Sequence, residues 1–268
     1  MDLELLKDTP SWEWPPDAGD LLLQVLRDAA TSESDRLTAV GLAGDFTVVD
    51  DDLVAALLSI LARDDEVDQV RARAAIALGP ALESADMEGF GFYSDAPISE
   101  PTFHEIQKTL HRLYLDTSVS KEVRRRVLEA AVRAPQDWQE GAVRSAYGSE
   151  DAAWKVTAVF CMRFLDGFDE EILESLDSGN LDIQYEAVCA AGEQELQEAW
   201  PHITALVTSQ ETPKSLLLAA IGALSSIRPQ GAVEILDKLV DSDDQDVAWA
   251  AAEAMVVESW LEDEEFYL

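Results

Sequence analysis

Apolar residues recur along this chain in a fixed frame. Val70, Ala74 and Ala77 are separated by four and then three positions, the interval that places side chains on one face of an α-helix. The same frame reads Val123, Val127, Ala130; Trp154, Ala158, Cys161; Ile183, Ala187, Ala190; Leu216, Ala220, Ala223; and Val247, Ala251, Ala254. A weaker copy begins at Arg36, with Val40 and Ala43. The starting positions differ by 34, 53, 31, 29, 33 and 31 residues, and all but one of these intervals match the length of a helix–turn–helix repeat. Small side chains at the fourth and seventh positions predict that neighbouring helices approach closely.

A second amphipathic stretch precedes each copy, as in Asp20 to Ala30, Asp52 to Arg63, Phe103 to Leu115 and Gly231 to Val240. Short acidic turns separate the two helices, among them Asp64-Asp65-Glu66, Asp177-Ser178-Gly179-Asn180 and Asp241-Ser242-Asp243-Asp244. Asp, Ser and Asn there suit helix N-caps, since a side-chain oxygen satisfies an orphan backbone N–H. Pro135, Pro201, Pro213 and Pro229 fall at helix ends or first turns, where a missing N–H is harmless. The pattern predicts an all-α chain of about seven antiparallel helix pairs and no β-sheet.

Asp68-x-Val70-Arg71-x-x-Ala74-Ala75-x-Ala77-Leu78-Gly79 resembles the second helix of a HEAT repeat, of the bacterial type grouped with phycobilisome-lyase HEAT-like repeats. The resemblance covers about residues 19–258 and implies a HEAT-type α-solenoid with a scaffold role rather than a reaction. The first copy departs from it by starting with Arg36, and the sixth, Leu216-Leu217-Leu218, lacks the usual basic residue. In HEAT proteins the residue after the first apolar one commonly pairs with Asp of adjacent turns. Arg71 and Lys155 are expected to form such a ladder with partners such as Asp68, Asp151, Asp182 and Asp246. Residues 1–18, with Trp12-Glu13-Trp14-Pro15-Pro16, read as a cap over the first helix pair, with a binding motif as the alternative. Residues 259–268 form an acidic-aromatic tail.

Charge changes the picture most. The chain has 268 residues with 54 acidic and 19 basic side chains, for a net charge of −35. That field repels polyphosphate, so nucleic acid and anionic membranes are excluded as expected partners. Few Lys, Arg in their place and abundant Asp resemble the proteomes of salt-adapted cells, where screening removes the self-repulsion; an acidic surface that captures basic partners is the competing reading. Apolar runs such as Ala248 to Ala252 fall far short of a membrane span, and MDLELLKDTP is not a signal peptide, so a cytoplasmic monomer is expected. Cys161 and Cys189 read as reduced, buried thiols, and Trp154 and Trp249, inside the frame, as core.

No constellation for catalysis stands out, and neither a cofactor nor a metal is expected. His104 and His111 are seven apart on one helix, but further ligands at helical spacing are missing. Some HEAT proteins are di-iron hydroxylases with repeated His-Glu pairs; here only His104-Glu105 matches. HEAT-like DNA glycosylases need a basic face, and this chain has the wrong charge. A phosphate-binding Gly loop and a nucleophile elbow are also missing. The leading expectation is a non-enzymatic scaffold that binds a partner protein or peptide on a concave face built from the second helices. The rival is an enzyme or lyase-like protein with a small-molecule pocket between the insertion and that face.

The 53-residue interval exceeds its neighbours by about 20, and the excess lies at about 84–101. Its centre carries Phe90, Phe92 and Tyr93, and the basic island beyond it carries Arg112, Arg124, Arg125 and Arg126. These seven are the candidate partner-binding residues, aromatics and arginines being favoured interface anchors; the alternative is that the aromatics plug the second and third repeats. Thr102 and Glu105 have capping-box spacing and are expected to restart the helix. If the acidity is salt adaptation, the melting temperature rises markedly from low salt to molar KCl. An unchanged melting temperature would instead indicate locally compensated charges or acids kept for binding.

Overall fold

A computed structural model describes residues 3–91, 94–227 and 231–265, with side chains up to Met255. Phe92 and Tyr93 lie outside the described residues. Among those residues there are fifteen α-helices and no strand. After α1 (Leu3–Asp8) come seven successive pairs: α2 (Ala18–Arg27) with α3 (Glu33–Leu42), α4 (Asp51–Ala62) with α5 (Asp68–Glu88), α6 (Glu100–Leu115) with α7 (Lys121–Ala131), α8 (Asp137–Tyr147) with α9 (Ala152–Cys161), α10 (Asp169–Leu176) with α11 (Leu181–Glu193), α12 (Trp200–Thr208) with α13 (Lys214–Ile227), and α14 (Ala232–Val240) with α15 (Gln245–Glu265). Two compact units divide within α8, residues 1–142 and 143–268. In the first, α5 packs between α3 and α7; in the second, α11 packs against α9 and α13, and α13 against α15. Within each unit, second helices thus lie side by side with first helices along one flank, the α-solenoid arrangement of the all-α class.

The repeat frame is the packing frame. All seven residues at its fourth position, Val40, Ala74, Val127, Ala158, Ala187, Ala220 and Ala251, are 0% exposed. Small residues bring backbones together. A Cβ on Gly44 would strike the Ala77 carbonyl oxygen and come within 2.8 Å of the Ala77 Cα, and one on Gly192 would lie 3.1 Å from the Ala223 Cα. The frame's seventh position is therefore where one second helix meets the next: Ala77 against the end of α3, Ala223 against α11.

Between the helices of a pair, the orphan carbonyls at the end of the first helix need donors. Arg71 Nε donates to the Leu61 carbonyl at 3.0 Å, Arg124 Nε to Tyr114 at 2.8 Å and Gln184 Nε2 to Leu176 at 2.9 Å. Each of these three directly follows the first residue of its copy of the frame. The expected Asp ladder is secondary: Arg71 comes within 3.7 Å of Asp64 and 3.9 Å of Asp68, longer than its bond to the carbonyl. Lys155 lies over the Tyr147 ring at 4.7 Å. The two copies that depart from the family pattern use the turn instead. Thr31 Oγ1 donates to the Val25 carbonyl and Thr212 Oγ1 to Leu206.

Asn180, Asp151 and Asp244 accept from the first N–H groups of their helices. The 64–66 turn differs: α5 has Val67 at its N-cap without a side-chain cap, and Glu66 accepts from the Val67 N–H. At the other end, α5 continues to Glu88 and ends on Gly89, whose φ of 63° is the left-handed backbone that glycine tolerates. Part of the extra length, residues 84–88 and 100–101, is therefore helix. Thr102 does not start α6. That helix begins at Glu100 after Ser99, and the Ser99 N–H donates 2.8 Å to Asp51 on α4. Partial burial works against the charged form of Asp51, but the hydrogen bonds from Ser99 and Thr102 prevail and hold its carboxyl below the ordinary range.

Two kinds of glycine, one packed against a neighbouring backbone and one facing open space, respond oppositely to substitution. Gly44→Ala forces backbone apart and should destabilise by about 1–3 kcal/mol. Gly222→Ala, on α13 where a Cβ meets nothing within 4 Å, should stabilise by about 0.5–1 kcal/mol. Urea unfolding midpoints of the two variants check both signs.

Candidate interaction surface

The basic island is mostly spent inside the protein. On α7, Arg125 is buried and donates 2.9 Å to Glu122, while Arg126 bridges Glu122 at 3.0 Å and the buried Glu129 at 2.7 Å. Burial disfavours the Arg126 guanidinium, but these carboxylates outweigh it and raise its pKa. Arg124 is committed to the Tyr114 carbonyl and ring. These three are therefore not an open cationic patch. Arg112 is exposed on α6. Phe90 is 37% exposed and its ring lies 5.3 Å from that of Phe103, a buried residue of α6, so it leans on the helix that follows the insertion.

The histidines do not converge. His104 is exposed beside Gln107, His111 stacks on Trp138 at 4.5 Å, and His202 lies 3.3 Å from Asp177. Among the described residues no three His, Cys, Asp or Glu side chains are grouped to hold a metal ion.

In the first unit, a cleft of about 490 Å³ opens where the N-terminal segment crosses α3 and α5, lined among others by Leu6, Trp14, Phe46, Arg73 and Ile76. Trp14 anchors this segment: its indole N–H lies 2.9 Å from both the Leu6 and Thr9 carbonyls, while Trp12 is 77% exposed. Near the insertion, a shallower space of about 370 Å³ is bordered by Asp50, Asp51 and Asp52 and by residues 96–99, away from the second helices.

In the second unit, the exposed side of the second helices carries an apolar row that the sequence reading missed. Phe160 and Phe164 follow one another at the end of α9, with Arg163 over the Phe160 ring at 5.0 Å and ion-paired to Glu186 of α11. Tyr185 on α11 is exposed, Leu218 on α13 is half-buried, and Trp249 on α15 is 70% exposed. Trp249 is therefore not core. It stands two residues after Val247, about 200° round the helix from that buried position. Tyr185 and Leu218 occupy the same place in their copies, and that shared place was the available signal. Four residues on are Cys189, half-buried, and Gly222 and Glu253, exposed. Cys161 is buried as expected, whereas Cys189 is only partly so.

No family model matches the chain, and no curated protein matches it by sequence. Solved structures do. Human deoxyhypusine hydroxylase in complex with glycerol is 17% identical, with 95% of this chain and 88% of that one covered and a TM-score of 0.42. YibA of E. coli is 14% identical over 94% and 90%, with a TM-score of 0.45. An archaeal HEAT-like repeats protein from Thermococcus onnurineus is 16% identical over 92% and 99%, with a TM-score of 0.42. Likenesses of this degree say nothing about activity.

The Cys189 thiol is pushed up chiefly by burial, with the Glu186 carboxylate acting in the same sense and Arg163 opposing. Less thiolate is present at neutral pH than for a free cysteine, and thiolate is the reactive form. A maleimide should label Cys189 slowly, with a rate that keeps rising above the pH at which a model thiol levels off, and should leave Cys161 unmodified until the protein unfolds. Mass spectrometry of timed samples checks both sites.

Proposed function

We propose that this protein is a non-enzymatic scaffold that holds a segment of a partner protein across the exposed side of its second helices. The observation that carries the reading is the row Phe160, Tyr185, Leu218 and Trp249: aromatic and aliphatic side chains left accessible on successive repeats of a chain with net charge −35. Exposed large apolar groups in contiguous array mark interaction sites, and repeat arrays present such faces to partners. Phe90 and Arg112, near the insertion, supply a second contact. The narrower kinship with phycobilisome-lyase repeats has no support from sequence relatives and plays no part in this reading.

The charge argues against nucleic acid and anionic membranes as ligands. Among the described residues no helix is long and apolar enough to cross a membrane. A cytoplasmic monomer belongs to the proposal and rests on the sequence alone. The variant Tyr185→Ser/Leu218→Ser/Trp249→Ser should melt within a few degrees of the wild type, because these side chains contribute little to the core. It should also lose the partner that the wild type retains in affinity capture at matched salt. Retention of the same partner by the variant would refute the reading.

A further inference from the structure

The scaffold reading leaves the chemistry of the partner open; the inference here rests on that reading and narrows it. We propose that the face formed by α11, α13 and α15 takes a segment bearing lysine or arginine at both ends and an aliphatic residue between. The second unit sets the field. Residues 143–268 hold 26 carboxylates and six basic residues. Among the described residues, the basic ones on or beside the second helices are already engaged. Arg163 pairs with Glu186, Lys214 pairs with Asp244 and Asp246 at 2.8 and 2.7 Å, and Lys155 lies over Tyr147.

The carboxylates on this face are differently placed. Asp182, Glu193 and Glu253 are exposed and form no ion pair among the described residues. On α11, Asp182, Tyr185, Cys189 and Glu193 are spaced by three, four and four, so they run as one stripe along the helix. On α15, Trp249 and Glu253 are spaced by four. Each outer helix therefore offers an exposed aromatic ring beside a free carboxylate. That pair suits an ammonium or guanidinium group, which gains from the ring face and from the charge together. The protein already uses the ring half of this chemistry internally, where Arg163 lies over Phe160 and Arg144 over Phe168 at 4.5 Å.

Between the outer helices, α13 presents a low floor. Leu218 is half-buried and Gly222 is exposed, with nothing within 4 Å of the position a Cβ would take. Because α13 packs against both α11 and α15, the two outer stripes are about two interhelical spacings apart, roughly 20 Å. An extended chain covers that distance in about six residues. The fitting segment has basic residues six apart and an aliphatic side chain midway, seated on Leu218 and Gly222.

The probe is the peptide fluoresceinyl-Arg-Ala-Ala-Leu-Ala-Ala-Arg-amide, with the dye on its N-terminal amine, titrated with the full chain and read by anisotropy. Versions with Gln or Glu in place of both Arg serve as controls. The Arg peptide should bind at least tenfold more tightly than the Gln peptide, the Glu peptide should not bind, and added KCl should weaken binding. Tyr185→Ala, Trp249→Ala and Gly222→Leu should each weaken it at least fivefold with the melting transition kept. Gly222→Leu adds bulk only where space is open, so it tests the floor without disturbing the fold. Equal binding of the Glu peptide, undiminished binding by Trp249→Ala and Gly222→Leu, or no binding of the Arg peptide at millimolar concentration would each overturn the inference. In the last case, loss of the captured partner by the triple serine variant would leave the scaffold reading standing, and its retention would remove both.

Discussion

The architecture depends on backbones of neighbouring second helices coming close enough that a methyl group decides whether they fit. Gly44 meets the backbone of Ala77, and Gly192 meets Ala223. Helices this close bury the fourth frame position completely in every copy. They leave little room for variation on the packed side, and they turn the opposite side of each helix outward in the same register. Close packing and a regular exposed face are thus two results of one constraint.

Closing the turns is a separate problem, and the chain solves it more than one way. An arginine, a glutamine or a threonine supplies the donor that the end of a first helix lacks. This explains why the copies beginning at Arg36 and Leu216 depart from the family pattern without losing the fold. In each, a threonine in the preceding turn does the work of the missing side chain. Asp51, which takes the first N–H of the segment leading into α6, shows the same economy across a pair boundary.

Helix type, pairing and the number of pairs were legible because two buried small or apolar residues per copy, at the fourth and seventh positions, leave a periodic trace that survives substitution. What was not legible follows from the same trace. Membership of the frame predicts burial for Trp249, yet angular position round the helix decides exposure, and two steps from a buried residue lies near the far side. Arg124, Arg125 and Arg126 read as a free patch because sequence shows their charge but not Glu122, Glu129 and the Tyr114 carbonyl around them. The stretch at 84–101 looked like loop because only its length departed from the period. Its first part simply prolongs α5, and glycine at position 89 marks where that ends.

The turn donors carry a consequence for how such a chain changes over generations. Because each of the five pairs with an identified donor supplies its own, from its own turn or from the helix that follows, no residue of another pair must change in step for the turn to stay closed. Five turns closed by three different residue types show that each can drift separately. The outward-facing positions are then free to diversify one pair at a time, so recognition can be rewritten locally while the inherited scaffold is left alone.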